Sequence, residues 1–285
     1  PASGCRPEEA QAMTASFKAL FDLTGRTAVV TGGCGILGRR FAEGLAEFGA
    51  NVAIVDLDQA ATDAAAADVA SRHAVRAKGY GCDITNPDAV RKTADAIESD
   101  LGVVSILLNN AASKTRDVDA FFAPVETFSQ DTWREIMSVN LDGMFTVAQV
   151  LGGRMAERGY GAIVQTASIY GLMAPDQRIY DGSEYLGRAI NTPAVYTASK
   201  AGVIGLTKHL ATYWAAKGVR VNTLTPGGVE SGQNETFKAR YGARVPLGRM
   251  ARADEMVGTM LFLVSDAASY VTGQNIAVDG GLSAW

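Results

Sequence analysis

Thr27-Ala28-Val29-Val30-Thr31 runs without a break into Gly32-Gly33-Cys34-Gly35-Ile36-Leu37-Gly38. The first five residues are β-branched or small, which suits a short buried strand. The glycines let the chain turn tightly, and Arg39–Phe48 then carries Phe41, Leu45 and Phe48 at helical spacing, with Gly49 as its stop. A strand, a glycine turn and a helix in this order open a βαβ unit. Backbone N–H groups at such a helix start can take a pyrophosphate. A purely structural turn needs glycines too, so it is the strand–turn–helix context that favours the phosphate.

The alternation continues outward from this stretch. Asn51–Val55 reads as a second strand closed by Asp56, and the alanine-rich stretch 59–70 as a second helix. Gly79–Cys82 is a third strand and Asp88–Leu101 a third helix behind Asn86-Pro87, a good cap and start. Ile106–Leu108 makes a fourth strand, and a helix follows from about Asp131 to Met155. Strand Ala162–Thr166, a long apolar helix over about Val195–Lys217, strand Arg220–Leu224, a helix near Asp254–Leu263 and strand Asn275–Val278 complete the chain. Strands alternating with helices and lacking hairpin turns predict an α/β fold with a mostly parallel sheet of about seven strands. The one long irregular segment is Leu172–Pro193, polar and rich in Gly, Tyr and Arg. No boundary divides the rest, so residues 25–285 are expected to form a single domain behind an N-terminal extension over 1–24.

Composition narrows the classes. The 285 residues are 47% hydrophobic and 20% charged, which suits a globular core and excludes a disordered or collagen-like chain. Against 30 acidic residues stand 26 basic ones, and no Lys/Arg run appears, so no nucleic-acid partner is expected. Cys5, Cys34 and Cys82 are too few for a disulfide framework and too far apart for a zinc pattern, so no metal is expected. With only His73 and His209 as bases, a Ser-His-Asp or Cys-His hydrolase is disfavoured. The apolar runs are too short to span a bilayer, and Pro1–Ala12 lacks the apolar core of a secretory signal. Met13 fits an original start. A reduced, cytoplasmic protein without a membrane partner is the expectation.

Candidate site residues sit where the strands end. Asp56 lies eighteen residues past Gly38, where a carboxylate can accept both hydroxyls of an adenosine ribose and repel a 2′-phosphate. Leu57, not an arginine, follows it, so NAD is expected over NADP. Asp83-Ile84 is placed at the adenine edge, and Asn109-Asn110-Ala111-Ala112 at the nicotinamide half. Tyr196 and Lys200 are four apart in a helical stretch and share a face. Ser168 follows a buried strand, and Asn140 is a polar amide inside an apolar helix. Together these suit proton transfer at an alcohol or carbonyl: an ammonium lowers the phenol of Tyr196 towards working pH, Ser168 bonds the substrate oxygen, and Lys200 reaches the nicotinamide ribose.

With these residues in place, the chain from about Gly25 to Gly281 resembles the classical short-chain dehydrogenase/reductase family. The resemblance rests on Thr31–Gly38, Asn109–Ala112, Asn140, Ser168, Tyr196-Thr197-Ala198-Ser199-Lys200 and Pro226-Gly227-Gly228-Val229, in that order. It implies a Rossmann-type, doubly wound seven-stranded sheet with helices on both faces and an Asn140-Ser168-Tyr196-Lys200 tetrad. Tyr196 is then the acid/base, Asn140 helps hold a water in the proton relay, and Thr225–Val229 closes over the nicotinamide. Cofactor contacts are expected from Gly32, Gly35, Ile36, Leu37, Gly38, Asp56, Leu57, Asp83, Ile84, Asn110, Ala111, Tyr196, Lys200, Pro226, Gly227 and Val229, in a homotetramer or homodimer.

Departures from the family pattern are informative. Ile36 replaces a usual glycine, with Gly33 and Gly35 compensating, as in sugar- and polyol-handling relatives; Ala111-Ala112 replaces Ala-Gly. Ser168 and Tyr196 are 28 residues apart, about twice the common family spacing. The surplus, 174–193, is either a surface insertion, which costs little free energy, or a wall or lid for a polar substrate. In the second reading Ser168, Arg178, Tyr180 and Arg188 contact substrate. The leading function is NAD-dependent interconversion of a secondary alcohol and a ketone, on a sugar, sugar acid or polyol. A 3-oxoacyl-thioester reductase is the alternative. A non-catalytic NAD sensor or scaffold is a third reading, disfavoured because a sensor needs only the nucleotide cradle and not all four tetrad residues.

Overall fold

In the computed structural model of the protein, which describes residues 16–285 apart from positions 116 and 186, Thr27–Thr31 forms the central strand β1 with every residue buried. The expectations for Cys5, Pro1–Ala12 and Met13 lie outside the described residues. Around β1 stand β2 (Asn51–Asp56), β3 (Ala77–Gly81), β4 (Val104–Asn109) and β5 (Gly161–Thr166). A two-residue ribbon, β6 (Glu184–Tyr185) and β7 (Arg188–Ala189), lies apart from the main sheet, which β8 (Val219–Pro226) and β9 (Asn275–Val278) complete. The strand order is β3-β2-β1-β4-β5-β8-β9, with every pairing parallel. The direction of strand addition reverses between β1 and β4, and such a switch point opens a crevice at the carboxyl ends of the strands.

Alternation along the strands divides the core into two layers. Val30 and Ile54 face the layer holding Phe41 and Leu45 of α1 (Ile36–Glu47), Ala66 and Val69 of α2 (Gln59–Arg72), and Met260 and Leu263. Val29 and Leu107 face the opposite layer, with Ile97 of α3 (Pro87–Leu101). Phe41 is 1% exposed, so truncating it to Ala would cost about 3–5 kcal/mol. Leu23 is fully buried in the first layer, so packing begins just ahead of Gly25.

Several element boundaries differ from the sequence expectation. The first helix begins at Ile36, inside the glycine turn, because Gly35 already has extended backbone and serves as its cap. The third strand runs over Ala77–Gly81, two residues earlier at its start, because its register is set by pairing with β2 from Val52 onward. A short α4 (Val118–Phe121) and the helix over 130–158 follow. The latter is α5 (Gln130–Met137), α6 (Met144–Val147) and α7 (Gly153–Arg158), joined by π-helical stretches Ser138–Gly143 and Ala148–Gly152. Then come α8 (Ala194–Trp214), α9 (Glu235–Gly242), which the sequence reading left out, and α10 (Val257–Val264). The segment expected to be irregular contains a 3₁₀ turn at Gln177–Tyr180 and the β6–β7 ribbon. Among the described residues no helix is long and apolar enough to cross a membrane, and no group of His, Cys, Asp or Glu could hold a metal ion.

Candidate active site

The glycine turn is a cradle of bare backbone. A Cβ at Gly38 would stand 2.1 Å from the carbonyl oxygen of Gly32, and one at Gly32, where φ is +63°, 2.8 Å from Cα of Ala111. Both positions therefore require glycine. At the start of α1, Gly35 offers no side-chain cap, whereas Asp58, Asn86, Asp117 and Ser129 cap α2, α3, α4 and α5. The N–H groups of a twelve-residue helix are thus left for another acceptor, and the helix dipole favours an anion there. The residues present fit a dinucleotide.

Asp56 ends β2 beside that turn. One carboxylate oxygen accepts from the Cys34 N–H at 3.0 Å and the other from the Leu57 N–H at 2.9 Å. Leu57 itself is 69% exposed. The carboxylate also pushes up the thiol of Cys34, whose largest cause of shift is burial. Thr31 ties the first and fourth strand ends together: its hydroxyl accepts from the N–H groups of Asn110 at 3.0 Å and Ala111 at 3.1 Å. Asn110 donates its side-chain amide to the carbonyls of Thr31 and Gly32 at 3.2 and 3.4 Å, so it supports the turn. Asp83 caps the turn after β3, accepting from the N–H and hydroxyl of Thr85, and Ile84 is buried. Neither lines the cleft described next.

That cleft, about 570 Å³, opens at the carboxyl ends of β1, β4, β5 and β8 and brings Ile36, Leu37, Asn110, Ser168, Tyr196 and Lys200 together with Pro226–Val229. Ser168 stands beside Tyr196 in the cleft, near enough to oppose the upward shift of its phenol, and caps the next turn by accepting from Tyr170 N–H at 3.3 Å. Lys200 is 3% exposed and donates to the Thr166 carbonyl at 3.0 Å; its Nζ lies 6.0 Å from the centre of the Tyr196 ring. Asn140 falls in the first π-helical stretch and is fully buried. Its Oδ1 accepts from Ser113 N–H at 2.7 Å and its Nδ2 has no protein partner.

Two expectations change here. The phenol of Tyr196 is pushed up, because burial outweighs the opposing influence of the Ser168 hydroxyl, and Lys200 is not among the causes. The ammonium is held towards Thr166 and is itself pushed down to about 8 by burial. Arg178 and Arg188 do not line the cleft: Arg178 pairs with Asp176 at 2.7 Å and Arg188 with Asp119 at 2.6 Å. Tyr180 does line it, together with residues the sequence reading missed, namely Tyr170, Asn191, Thr192, Phe237 and Tyr241. Asn234-Glu235 was a legible start for the helix carrying the last two: the Asn234 side chain accepts from Phe237 N–H at 2.8 Å.

A glycine cradle at the switch point, a strand-end carboxylate held against it, and a serine and tyrosine beside a buried lysine define an oxidoreductase of the dinucleotide-binding kind. A family model described as enoyl-(acyl carrier protein) reductase matches residues 34–283. The D-threitol dehydrogenase of Mycolicibacterium smegmatis is 35% identical, over 96% of this chain and 98% of its own. A gluconate 5-dehydrogenase from Burkholderia cenocepacia, solved with NADP and tartrate, superposes with a TM-score of 0.82 at 33% identity, covering 94% of this chain and 99% of that one. An NAD⁺-bound xylitol dehydrogenase gives 0.79 at 30% identity, covering 91% and 99%. The chain belongs to the short-chain dehydrogenase/reductase family, and it is an enzyme that acts on alcohol and ketone substrates with a nicotinamide cofactor.

Proposed function

We propose that the enzyme interconverts a secondary alcohol and a ketone on a sugar, sugar acid or polyol, with NAD as the favoured cofactor. The observation that carries the chemistry is that Ser168, Tyr196 and a buried Lys200 come together in the lining of the switch-point cleft. The sugar-type substrate is supported by what the similar enzymes are named for, D-threitol and gluconate, and by the polar wall that 174–193 adds. NAD is supported by Asp56, since a carboxylate held against the glycine turn repels a 2′-phosphate and the exposed Leu57 offers no counter-charge. A homotetramer in the cytoplasm belongs to the same proposal, on the strength of the family; light scattering on the purified protein tests the assembly.

A dinucleotide whose pyrophosphate is held at the glycine cradle would supply a nicotinamide able to take up or return the hydride of the carbinol carbon. The chain's own residues do the rest. Ser168 and Tyr196 fix the substrate oxygen between two hydroxyls. Tyr196 takes the alcohol proton in oxidation and returns it to the ketone oxygen in reduction. Because burial keeps this phenol protonated, the resting site is poised as an acid. Lys200 holds a positive charge beneath it, and Asn140 offers its unpartnered amide N–H groups to a proton path. Mixing enzyme, NAD and a panel of polyols, aldonates and plain alcohols while following NADH absorbance tests the reading. Tyr196→Phe is expected to lower turnover by about 10²–10⁴-fold while leaving NADH affinity nearly unchanged. Near-normal turnover in that variant removes Tyr196 from the chemistry.

A further inference from the structure

We propose that Asp176 is a positioning residue for substrate: it fastens the insertion 174–193 to the stretch just after α9, and so sets the cleft wall that the two form together. The proposal rests on the function given above for the identity of the reacting residues.

The two sides of this wall come from distant parts of the chain. The insertion supplies Tyr180 and Thr192 to the cleft lining, and α9 supplies Phe237 and Tyr241. The rings of Tyr180 and Phe237 meet with centroids 5.3 Å apart, and Phe237 stacks on Tyr241 at 5.9 Å. Of the two sides, α9 is anchored to the main sheet. The Tyr241 hydroxyl accepts from the N–H of Gly228, just past the end of β8, at 2.5 Å. A Cβ at Gly228 would stand 2.5 Å from the Tyr241 ring, so the approach requires glycine. The insertion has less to hold it. Asp181, Gly182, Glu184, Gly187 and Arg188 are all exposed.

Asp176 is a charged link across this junction. Its side chain is 15% exposed and takes both Arg178 at 2.7 Å and Arg244 at 2.5 Å. Arg178 is exposed and two residues away, so that pair is local and gains little in water. Arg244 is 37% exposed and lies beyond the end of α9, so its pair joins two separate elements. Asp176 also caps the turn Gln177–Tyr180, accepting from the Arg178 N–H at 3.1 Å. From that turn Gln177 grips the other limb of the insertion. It donates to the Thr192 carbonyl at 2.9 Å and accepts from the Thr192 N–H at 3.3 Å. A hydrogen bond between the Tyr180 and Thr192 hydroxyls closes the frame. Fixing Asp176 therefore fixes Tyr180 and Thr192 as a unit against Phe237. A wall that becomes ordered only around substrate weakens binding by the cost of that ordering, and leaves the bond-making step untouched.

The test uses the full-length enzyme with NAD and the most active compound from the panel of polyols, aldonates and plain alcohols. Asp176→Asn keeps an acceptor for the turn and removes the charge, while Arg244→Met removes the same pair from the other side. Each is expected to raise KM about tenfold, to change kcat by less than about twofold and to leave the NADH Kd unchanged. The double variant should be no worse than either single one, since both lose one tie. Arg244→Lys, which keeps the charge, should recover most of the KM. Amide hydrogen exchange over 174–193, measured without substrate, should quicken in Asp176→Asn and Arg244→Met. The melting temperature should move by no more than about 4 °C, the scale of one partly exposed ion pair. An unchanged KM in both single variants would overturn the proposal while leaving the alcohol–ketone function intact. Additive effects in the double variant would do the same, as would a parallel loss of kcat and NADH affinity, which marks general loosening. If Asp176→Asn misfolds, the two Arg244 variants carry the test. A parent enzyme that binds NADH and turns over nothing in the panel would overturn the function itself, and unchanged hydrogen exchange in the variants would separately overturn the tie.

Discussion

Replacing Lys200 by Met separates the cost of burying a charge from the use the enzyme makes of it. The side chain is 3% exposed, and the bond to Thr166 O is the hydrogen bond it makes inside the protein. Burial pushes its titration from 10.5 down to about 8. Two and a half pH units correspond to about 3 kcal/mol of lost stability at neutral pH. Methionine fills similar space without a charge, and loss of the bond to Thr166 returns about 1 kcal/mol. The variant should therefore be more stable than the parent by about 2 kcal/mol, which is about 4–8 °C in Tm. The sign with pH follows from which state binds the extra proton. Between about 8 and 10.5 the unfolded chain holds a proton on this lysine that the folded chain has released, so parent stability rises with pH across that window. The penalty is complete below pH 8 and gone above 10.5, so the variant's advantage should be full at neutral pH and give way to a deficit of about 1 kcal/mol by the upper limit, where only the lost bond to Thr166 counts. Thermal melts without cofactor, at neutral pH and near the upper end of the window, measure both quantities. In the same preparation, alcohol oxidation and NADH affinity should both fall, since Lys200 is assigned the contact to the nicotinamide ribose as well as its place beside Tyr196. A variant no more stable than the parent at neutral pH, or one whose advantage is independent of pH, would refute the claim that Lys200 is a buried cost retained for chemistry.

Three other outcomes follow from the site. Asp56→Ser combined with Leu57→Arg should shift the cofactor preference towards NADP by removing a repulsive carboxylate and adding a phosphate partner; a parent enzyme that already binds NADP more tightly than NAD would contradict the role given to Asp56. Gly38→Ala forces a methyl group against the Gly32 carbonyl, so cofactor Kd should rise at least about tenfold and stability fall by about 1–3 kcal/mol, measured by NADH fluorescence and urea unfolding. Because Tyr196 is pushed up by burial, kcat/KM for alcohol oxidation should increase with pH above neutrality while ketone reduction stays level until the pH passes the phenol's ordinary value of 10, and Tyr196→Phe should flatten the oxidation profile. A pH-independent oxidation rate would show that the phenol is already ionised in the working enzyme.

What the sequence disclosed depended on whether a feature is local. The glycine turn, the strand-end aspartate and the tyrosine–lysine spacing are set within a few residues, and each is read from side-chain size, charge and helical period. A mostly parallel sheet of about seven strands followed because alternating strands and helices admit few arrangements, whereas the strand order, with β4 beside β1, emerges from the pairing itself. Helix and strand limits slipped where partners decide them, as in β3, whose ends are set by pairing with β2. The π-helical stretch around Asn140 left no sequence signal, because one extra residue per turn needs only that the neighbouring layer accept it.

The insertion shows the limit most clearly. Read as a string, Arg178 and Arg188 are cations near a substrate mouth, and a carboxylate is their natural partner. In three dimensions Asp176, two residues before Arg178, has taken that part, bringing in Arg244 from a distant stretch, and Asp119 has taken Arg188. Charge counts along a loop cannot reveal this, since the neutralising groups lie partly outside it. Asn191 presents the reverse case. An asparagine before Thr-Pro reads as an ordinary turn residue, yet its amide is pinned by Phe122, 69 residues away, and its oxygen is left without a partner. Which polar atoms of the loop stay unbonded is therefore decided by contacts from outside it, and a reading along the chain cannot disclose them.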